Sequence, residues 1–396
     1  MTTFRRFIVR SIIVLISAAF IASCTKDDED YIPDYLVSSE EIVSLSVSQV
    51  SGMLSGSGAL PTEIAFLIRY GVKGIRIVYE TVDVSGEPIL ASGALLVPQN
   101  SNPMALISFQ HGTITNESSA PSNFDSEANM LASIFSSTGY IIAMPDYIGY
   151  GESKDIAHPY EHRASLATAT RDMIRAAYEY FKVKKLNQPS NKLFLTGYSE
   201  GGFATMATLK LLQEQHAKEF NVSAATLGAG AYNKTAFMEW VVNSIDELEY
   251  INSFVWVLDV YNSIYPALRR PYEFYFNQPW ATAIESGGVF IEMESNPSLL
   301  FKNTFADGIR NGTDTQFLSA IADNNCYSWL PKMPMQLYHG TDDTYIPYFN
   351  SESAYNAMVE LGATNVELIP IEGGTHATSI MDYAAGTYAF FLKYLN

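Results

Sequence analysis

Short, wholly apolar runs recur along this chain and alternate with longer segments of helical spacing. Residues 75–84 and 89–97 flank Ser85-Gly86-Glu87-Pro88 and predict an antiparallel hairpin. Residues 105–109, 140–144, 193–196, 224–228, 335–338 and 366–369 predict six further strands. Helix-like segments at 126–136, 162–182, 203–216 and 351–361 lie between most of them, and a last one follows His376. The later strands do not alternate apolar with polar, as strands buried on both faces do not. The pattern therefore predicts an α/β fold, a mostly parallel central sheet with helices on both faces and ligands at the carboxyl ends of the strands.

One stretch breaks the alternation. Residues 234–330 insert about a hundred positions between the sixth and seventh predicted strands, and all four tryptophans fall there (Trp240, Trp256, Trp280, Trp329). With 47% hydrophobic residues the chain can bury a large core, which suits one domain carrying an insertion. The predicted organisation is a core at 60–233 and 331–396 with an aromatic-rich cap at 234–330.

The densest chemical signal is Gly197-Tyr198-Ser199-Glu200-Gly201, placed where a predicted strand runs straight into a helix. A serine in such a turn presents its hydroxyl outward, and flanking glycines leave room for the strained backbone. Five residues prove little in a chain with 25 glycines, so the surroundings matter. A serine hydroxyl needs a base and the base needs an orienting group. Of the six histidines, His216 falls in the helix after the turn, whereas His111 and His339 end apolar strands. His376 falls on a loop after the last strand, where an imidazole can reach over the sheet. Asp342 or Asp343 follows the strand at 335–338 and is the candidate acid. The order Ser199, acid, His376 is that of a nucleophile-acid-base hydrolase.

From about Gly74 to Asn396 the chain resembles the α/β-hydrolases, and within them the bacterial and fungal secretory lipases and esterases. In that family the acid stands in Gly-x-x-Asp-x-x-Val-Pro, here Gly340-Thr341-Asp342-Asp343-Thr344-Tyr345-Ile346-Pro347, a register that favours Asp343. The resemblance also implies an oxyanion-hole turn after the strand at 105–109, at His111-Gly112-Thr113. The backbone N–H of Glu200 would supply one donor and that of Thr113 or Gly112 the other. His111 is expected to shape the turn rather than titrate. Glu200 departs from the glutamine or methionine common in family elbows, and its carboxylate is expected to slow attack on anionic substrates. Family members carry a helical cap at the position of 234–330, where the aromatics would form an acyl or aryl pocket or fill the cap's own core.

His158-Pro159-Tyr160-Glu161-His162 also matches the His-x-x-Glu-His string of zinc peptidases. Pro159 disfavours helical angles at His158, so the two histidines should not share a helical face. The family carries a His-Pro-Tyr segment after an Asp-Tyr-x-Gly-Tyr-Gly turn, here Asp146 to Gly151, which implies a structural or pocket-lining role. No metal and no organic cofactor is expected.

At the N-terminus Arg5, Arg6 and Arg10 precede an apolar run at 12–22, and Ile21-Ala22-Ser23-Cys24 closes it. This pattern predicts a signal peptide at 1–23 with a lipobox, cleavage before Cys24 and lipidation of that cysteine. The apolar core is shorter than the roughly 20 residues that a spanning helix needs. Residues 24–59 are acidic and then Ser/Gly-rich and read as a tether. The acidic run resembles export signals of surface lipoproteins, so an outer-membrane location, lipid-anchored and surface-exposed, is expected. Cys326 is the one other thiol, and a buried packing role is its default. The net charge of −18 argues against nucleic acid as a partner, leaving a small ester substrate and the anchoring membrane. Two other readings stay open: a serine exopeptidase using Glu239, Asp246, Glu247 or Glu249 to hold a substrate amine, and a surface binding lipoprotein without turnover.

Overall fold

The computed structural model describes residues 31–57 and 66–395. The expected signal peptide, Cys24 and the acidic run lie outside the described residues.

A nine-stranded sheet in the order β1-β2-β3-β5-β4-β6-β7-β8-β9 forms the centre. β2 (Val72–Val82) and β3 (Pro88–Pro98) are the expected hairpin, antiparallel in continuous register from Val72↔Pro98 to Val82↔Pro88. Its turn is held by Asp83, whose Oδ1 accepts from the backbone N–H groups of Ser85 and Glu87 at 2.8 and 3.0 Å. β3 joins the parallel part antiparallel to β5 (Tyr140–Pro145). β4 (Ala105–Gln110), β5, β6 (Leu193–Tyr198), β7 (Val222–Gly228), β8 (Met335–Gly340) and β9 (Val366–Ile371) are parallel to their neighbours. Every residue of β5, β6 and β8 is buried, as expected of strands covered on both faces.

The tether expected at 24–59 is corrected over its second half. β1 (Leu36–Leu45) pairs antiparallel with β2 at the sheet edge, and α1 (Val47–Ser57) follows it, with Val50 and Leu54 fully buried one turn apart. The folded chain thus begins well before residue 60. An edge strand buries little: only Leu36 and Leu45 of β1 are buried, Val37 and Ile42 are exposed, and its apolar residues do not alternate as a half-buried strand's do.

Helices cover both faces. α3 (Arg163–Val183), α4 (Glu200–Gln215) and α12 (Phe349–Glu360) bury Met173, Phe203, Leu209 and Met358 against one face. α1, α2 (Glu127–Ser137) and α13 (Ile380–Tyr394) bury Val50, Ile134 and Phe391 against the other. The insertion falls between β7 and β8, one strand later in the count because β1 adds a strand. It folds as α5 (Lys234–Asn243), α6 (Ile251–Ile264), α7 (Tyr272–Tyr275), α8 (Trp280–Gly287), α9 (Pro297–Leu300), α10 (Asn303–Arg310) and α11 (Thr315–Asp323). These helices enclose their own core of Tyr275, Phe276, Phe301, Phe305 and Phe317, all essentially inaccessible. Trp329 instead packs under α4, its Nε1 3.4 Å from Met206 Sδ, and Cys326 is a buried free thiol.

Candidate active site

The strand order reverses between β5-β4 and β4-β6, so the chain leaves β4 and β6 in opposite directions and opens a crevice at their carboxyl ends. Gln110 at the end of β4 is in register with Gly197 of β6, which sets the turn at His111-Gly112-Thr113 beside Ser199. Ser199 itself sits between β6 and α4 at φ 62°, ψ −126°, a backbone conformation that L-residues avoid. Two close approaches enforce it. A Cβ on Gly197 would lie 2.2 Å from the Gly201 carbonyl oxygen, and one on Gly201 would lie 2.0 Å from that of Gln110. Only glycine lets the helix start this close to the strands.

The loops after β8 and β9 complete the site, because Gly340 and Ile371 are in register and both loops leave the same edge. His376 Nε2 lies 3.0 Å from Ser199 Oγ, and its Nδ1 lies 2.7 Å from Asp343 Oδ2. Of the two adjacent acids, Asp343 is buried against the imidazole, whereas Asp342 is exposed. Asp343 Oδ1 accepts from the backbone N–H groups of Tyr345 and Ile346, both at 2.9 Å. Its Oδ2 also lies 3.3 Å from His339 Nε2. Burial alone would raise the Asp343 pKa, but the hydrogen bonds and charge of His339 and His376 overcome it and hold the carboxyl at about 2. Tyr198 steadies the His376 loop, donating from its hydroxyl to the His376 carbonyl at 2.8 Å. The Tyr345 ring lies 4.8 Å from the imidazole and stacks at 4.0 Å on Tyr250 of the cap.

The three residues expected to offer oxyanion donors come together at the elbow. Glu200 is the first residue of α4, where backbone N–H groups have no partner within the helix. Gly112 lies against Ser199, since a Cβ there would stand 3.3 Å from the Tyr198 carbonyl oxygen and 3.7 Å from Ser199 Cβ. Thr113 is tied by its hydroxyl to that of Tyr160 at 2.9 Å. His111 Nδ1 lies 2.7 Å from the Gly112 carbonyl and so ties the turn, and burial holds its pKa below the usual imidazole range.

The His-x-x-Glu-His string does not gather into one cluster. His158 faces Glu200, Glu161 forms a buried ion pair with Lys234, and His162 Nδ1 meets Ser165 Oγ at 3.0 Å. Among the described residues no three His, Cys, Asp or Glu side chains converge as a metal site would require. The contact between His158 and Glu200 changes the electrostatics expected of the elbow. His158 Nδ1 lies 2.6 Å from the Ile148 carbonyl, which can only accept, so Nδ1 carries a proton. Nε2 then lies 2.8 Å from Glu200 Oε1, a distance that two lone pairs do not tolerate. A proton lies between them, and the pair has no net charge. The carboxylate noted beside Ser199 is thus paired with a buried histidine.

A cleft of about 670 Å³ opens at Ser199 and His376. It does not run into the cap: no residue between 234 and 330 lines it, and its walls come from the core. Sequence reasoning missed this, along with His339, Tyr198 and the partnership of His158 with Glu200. Tyr198 and His158 lie far along the chain from their partners, His339 stands only four residues before Asp343, and buried tyrosines and histidines are common enough to give no signal.

The sequence pattern of the secretory lipase family matches residues 120–391. Lipase 10 of Candida albicans is 24% identical over 74% of this chain and 66% of its own length. The secreted triacylglycerol lipase LIP2 of Malassezia furfur is 23% identical over 75% of this chain and 65% of its own. The chain thus spans just under two thirds of these relatives. Among solved structures, the rice cell wall degrading esterase LipA from Xanthomonas oryzae superposes with a TM-score of 0.76 at 25% identity, covering 90% of this chain and 96% of that one. Candida antarctica lipase A in its closed state gives 0.64 at 16% identity, covering 89% and 82%, a likeness of fold.

Proposed function

Since this chain belongs to the secretory lipase family, we propose that it is a secreted serine hydrolase that cleaves carboxylic esters through an acyl-enzyme. Ser199 attacks the ester carbonyl while His376 takes its proton, and the imidazolium returns that proton to the leaving alcohol. Asp343 holds the imidazole in the productive tautomer and balances its charge. The N–H of Glu200, with that of Gly112 or Thr113, receives the developing oxyanion. Water then enters by the same base and releases the acid. Neither metal nor organic cofactor takes part.

The single observation that supports this reading is the unbroken run Ser199 Oγ, His376 Nε2, His376 Nδ1, Asp343 Oδ2, at 3.0 and 2.7 Å, opening on a largely apolar cleft. The carboxylates that a serine exopeptidase would use for a substrate amine, Glu239, Asp246, Glu247 and Glu249, are exposed and do not line the cleft. Turnover of 4-nitrophenyl esters and labelling by a small fluorophosphonate test the proposal together. Ser199→Ala should remove labelling and lower kcat by at least about ten-thousand-fold. Undiminished turnover in that variant sinks it.

The same proposal includes lipidation of Cys24 and a place on the outer membrane, supported by the N-terminal sequence pattern. Metabolic labelling with a palmitate analogue should mark the wild type and spare Cys24→Ser.

A further inference from the structure

The cleft at Ser199 runs along the face of the sheet opposite α4, between two helices that leave the site side by side. α2 turns Ala128, Leu131 and Phe135 toward it, a stripe at helical spacing in which all three are only partly covered. α13 turns Ile380, Tyr383, Ala384 and Thr387 toward it from the other side, with the same spacing. Ile107 and Phe109 of β4 and Ile142 of β5 form the floor. Such stripes normally meet a neighbouring helix, yet here, among the described residues, they face each other across a cleft. The helices close on one another at Phe135 and Tyr388, whose rings meet edge-on with centroids 5.8 Å apart.

The polar groups along the trench are already spent. Thr196 and Thr226 share a hydrogen bond of 2.7 Å, Thr226 and Thr387 one of 2.8 Å, and the Tyr383 hydroxyl bonds Thr196. An alkyl chain passing them leaves no donor or acceptor stranded. Asp125, Ser126 and Glu127 make a polar rim only where α2 begins. The trench thus offers apolar walls, a satisfied floor, an open end at the nucleophile and a closed end between two aromatic rings.

We propose that this trench is the acyl subsite: the acyl chain of the ester runs from Ser199 along α13 toward Thr387, away from the cap, and the preferred substrates carry linear medium-length acyl groups. The proposal rests on the ester-hydrolase reading and adds where the acid half lies. From Ile380 to Thr387 the helix advances about 10 Å, which an extended chain of roughly eight carbons spans. The side of the cleft at Tyr345, which stacks on Tyr250 of the cap, is left for the alcohol half.

The test uses 4-nitrophenyl esters of increasing acyl length on the full protein. For the wild type, kcat/KM should rise at least tenfold from acetate to octanoate and fall again at palmitate. Ala384→Phe narrows the trench and should lower the octanoate-to-acetate ratio at least tenfold, while Phe135→Ala opens its far end and should raise the laurate-to-octanoate ratio at least threefold. Unchanged ratios in both variants, each with a cooperative thermal transition, overturn the proposal. A crystal of the octylphosphonate adduct of the wild type decides independently of any variant: alkyl carbons against Leu131 and Ile380 support the trench, and a chain turned into the cap refutes it. Failure of the underlying reading looks different, since neither acetate turnover nor fluorophosphonate labelling would then be seen.

Discussion

The carboxylate of Glu200 lies 2.8 Å from His158 Nε2, with both side chains buried beneath the nucleophile elbow. The Ile148 carbonyl fixes the proton on Nδ1, so the pair holds a second proton between its members and carries no net charge. Removing His158 strands a carboxylate in the core, whereas replacing Glu200 by glutamine substitutes an amide donor for the shared proton. His158→Ala should therefore lose about 3–5 kcal/mol of stability. Glu200→Gln should lose about 1 kcal/mol. Urea unfolding of the two variants measures the difference, and a His158→Ala protein as stable as Glu200→Gln contradicts the shared proton.

Asp343 is hydrogen-bonded to two backbone N–H groups and the His376 imidazole, and a second imidazole, His339, stands 3.3 Å away with its Nε2 2.7 Å from the Ile346 carbonyl. His339, whose Nδ1 meets Ser351 Oγ at 2.7 Å, is the member that no proposed chemical step uses. Asp343→Asn should lower kcat by roughly ten-thousand-fold, because an amide selects the wrong tautomer of His376. His339→Leu should act on stability instead. The folded pKa of Asp343 is depressed to about 2 from an ordinary 3.8, so its contribution is complete above pH 4 and is lost as pH falls through 2. Without His339 that contribution shrinks. The stability gap between wild type and His339→Leu should therefore be widest above pH 4 and close toward pH 2 in acid titrations followed by circular dichroism.

Gly201 is where α4 approaches the end of β4, and an added Cβ would meet the carbonyl oxygens of Gln110 at 2.0 Å and His111 at 2.7 Å. Both are backbone atoms and cannot step aside. Gly201→Ala should cost about 3 kcal/mol and move Ser199 away from Gly112, so that ester turnover falls more than stability alone explains. Gly52 on the exposed side of α1 has nothing within 4 Å of the same added atom. Gly52→Ala should raise stability by about 0.5–1 kcal/mol. Thermal melts of the pair separate crowding from mere loss of glycine.

The parts of the site legible in the sequence were those with local rules. Ser199 announces itself because a strained strand-to-helix turn demands glycine on both sides, and His376 and Asp343 because each follows an apolar run that ends at the same edge. The rest depends on contacts between distant residues. β1 was invisible since an edge strand buries only Leu36 and Leu45, and its serines and glutamates look like a solvated linker. The trench was invisible for the opposite reason: Leu131, Phe135 and Ile380 have the spacing of ordinary core residues, and only the coordinates reveal that they line a cleft. The cap's aromatics drew attention by their number, yet most fill the cap's own interior. In each case the sequence specifies which side chains are apolar but not which of them find a partner.

His162, which precedes α3, gives the fold an acid-sensitive element away from the proposed chemistry. Burial pushes its pKa down from 6.5 to about 4, outweighing the nearby Asp323, with Arg163 acting in the same direction as burial. The folded protein keeps this ring neutral while the unfolded chain protonates it. Above pH 6.5 both states bind no proton and the group contributes nothing to the pH dependence. As pH falls from 6.5 to 4 the unfolded state gains a proton that the folded state refuses, and stability drops by up to about 3 kcal/mol. Below pH 4 the folded state binds the proton as well and this contribution to the slope ends. Replacing the ring by an uncharged amide in His162→Gln should flatten the dependence of urea-unfolding free energy on pH across that window. Equal slopes for the two proteins between pH 4 and 6.5 would show that His162 does not stay neutral in the fold.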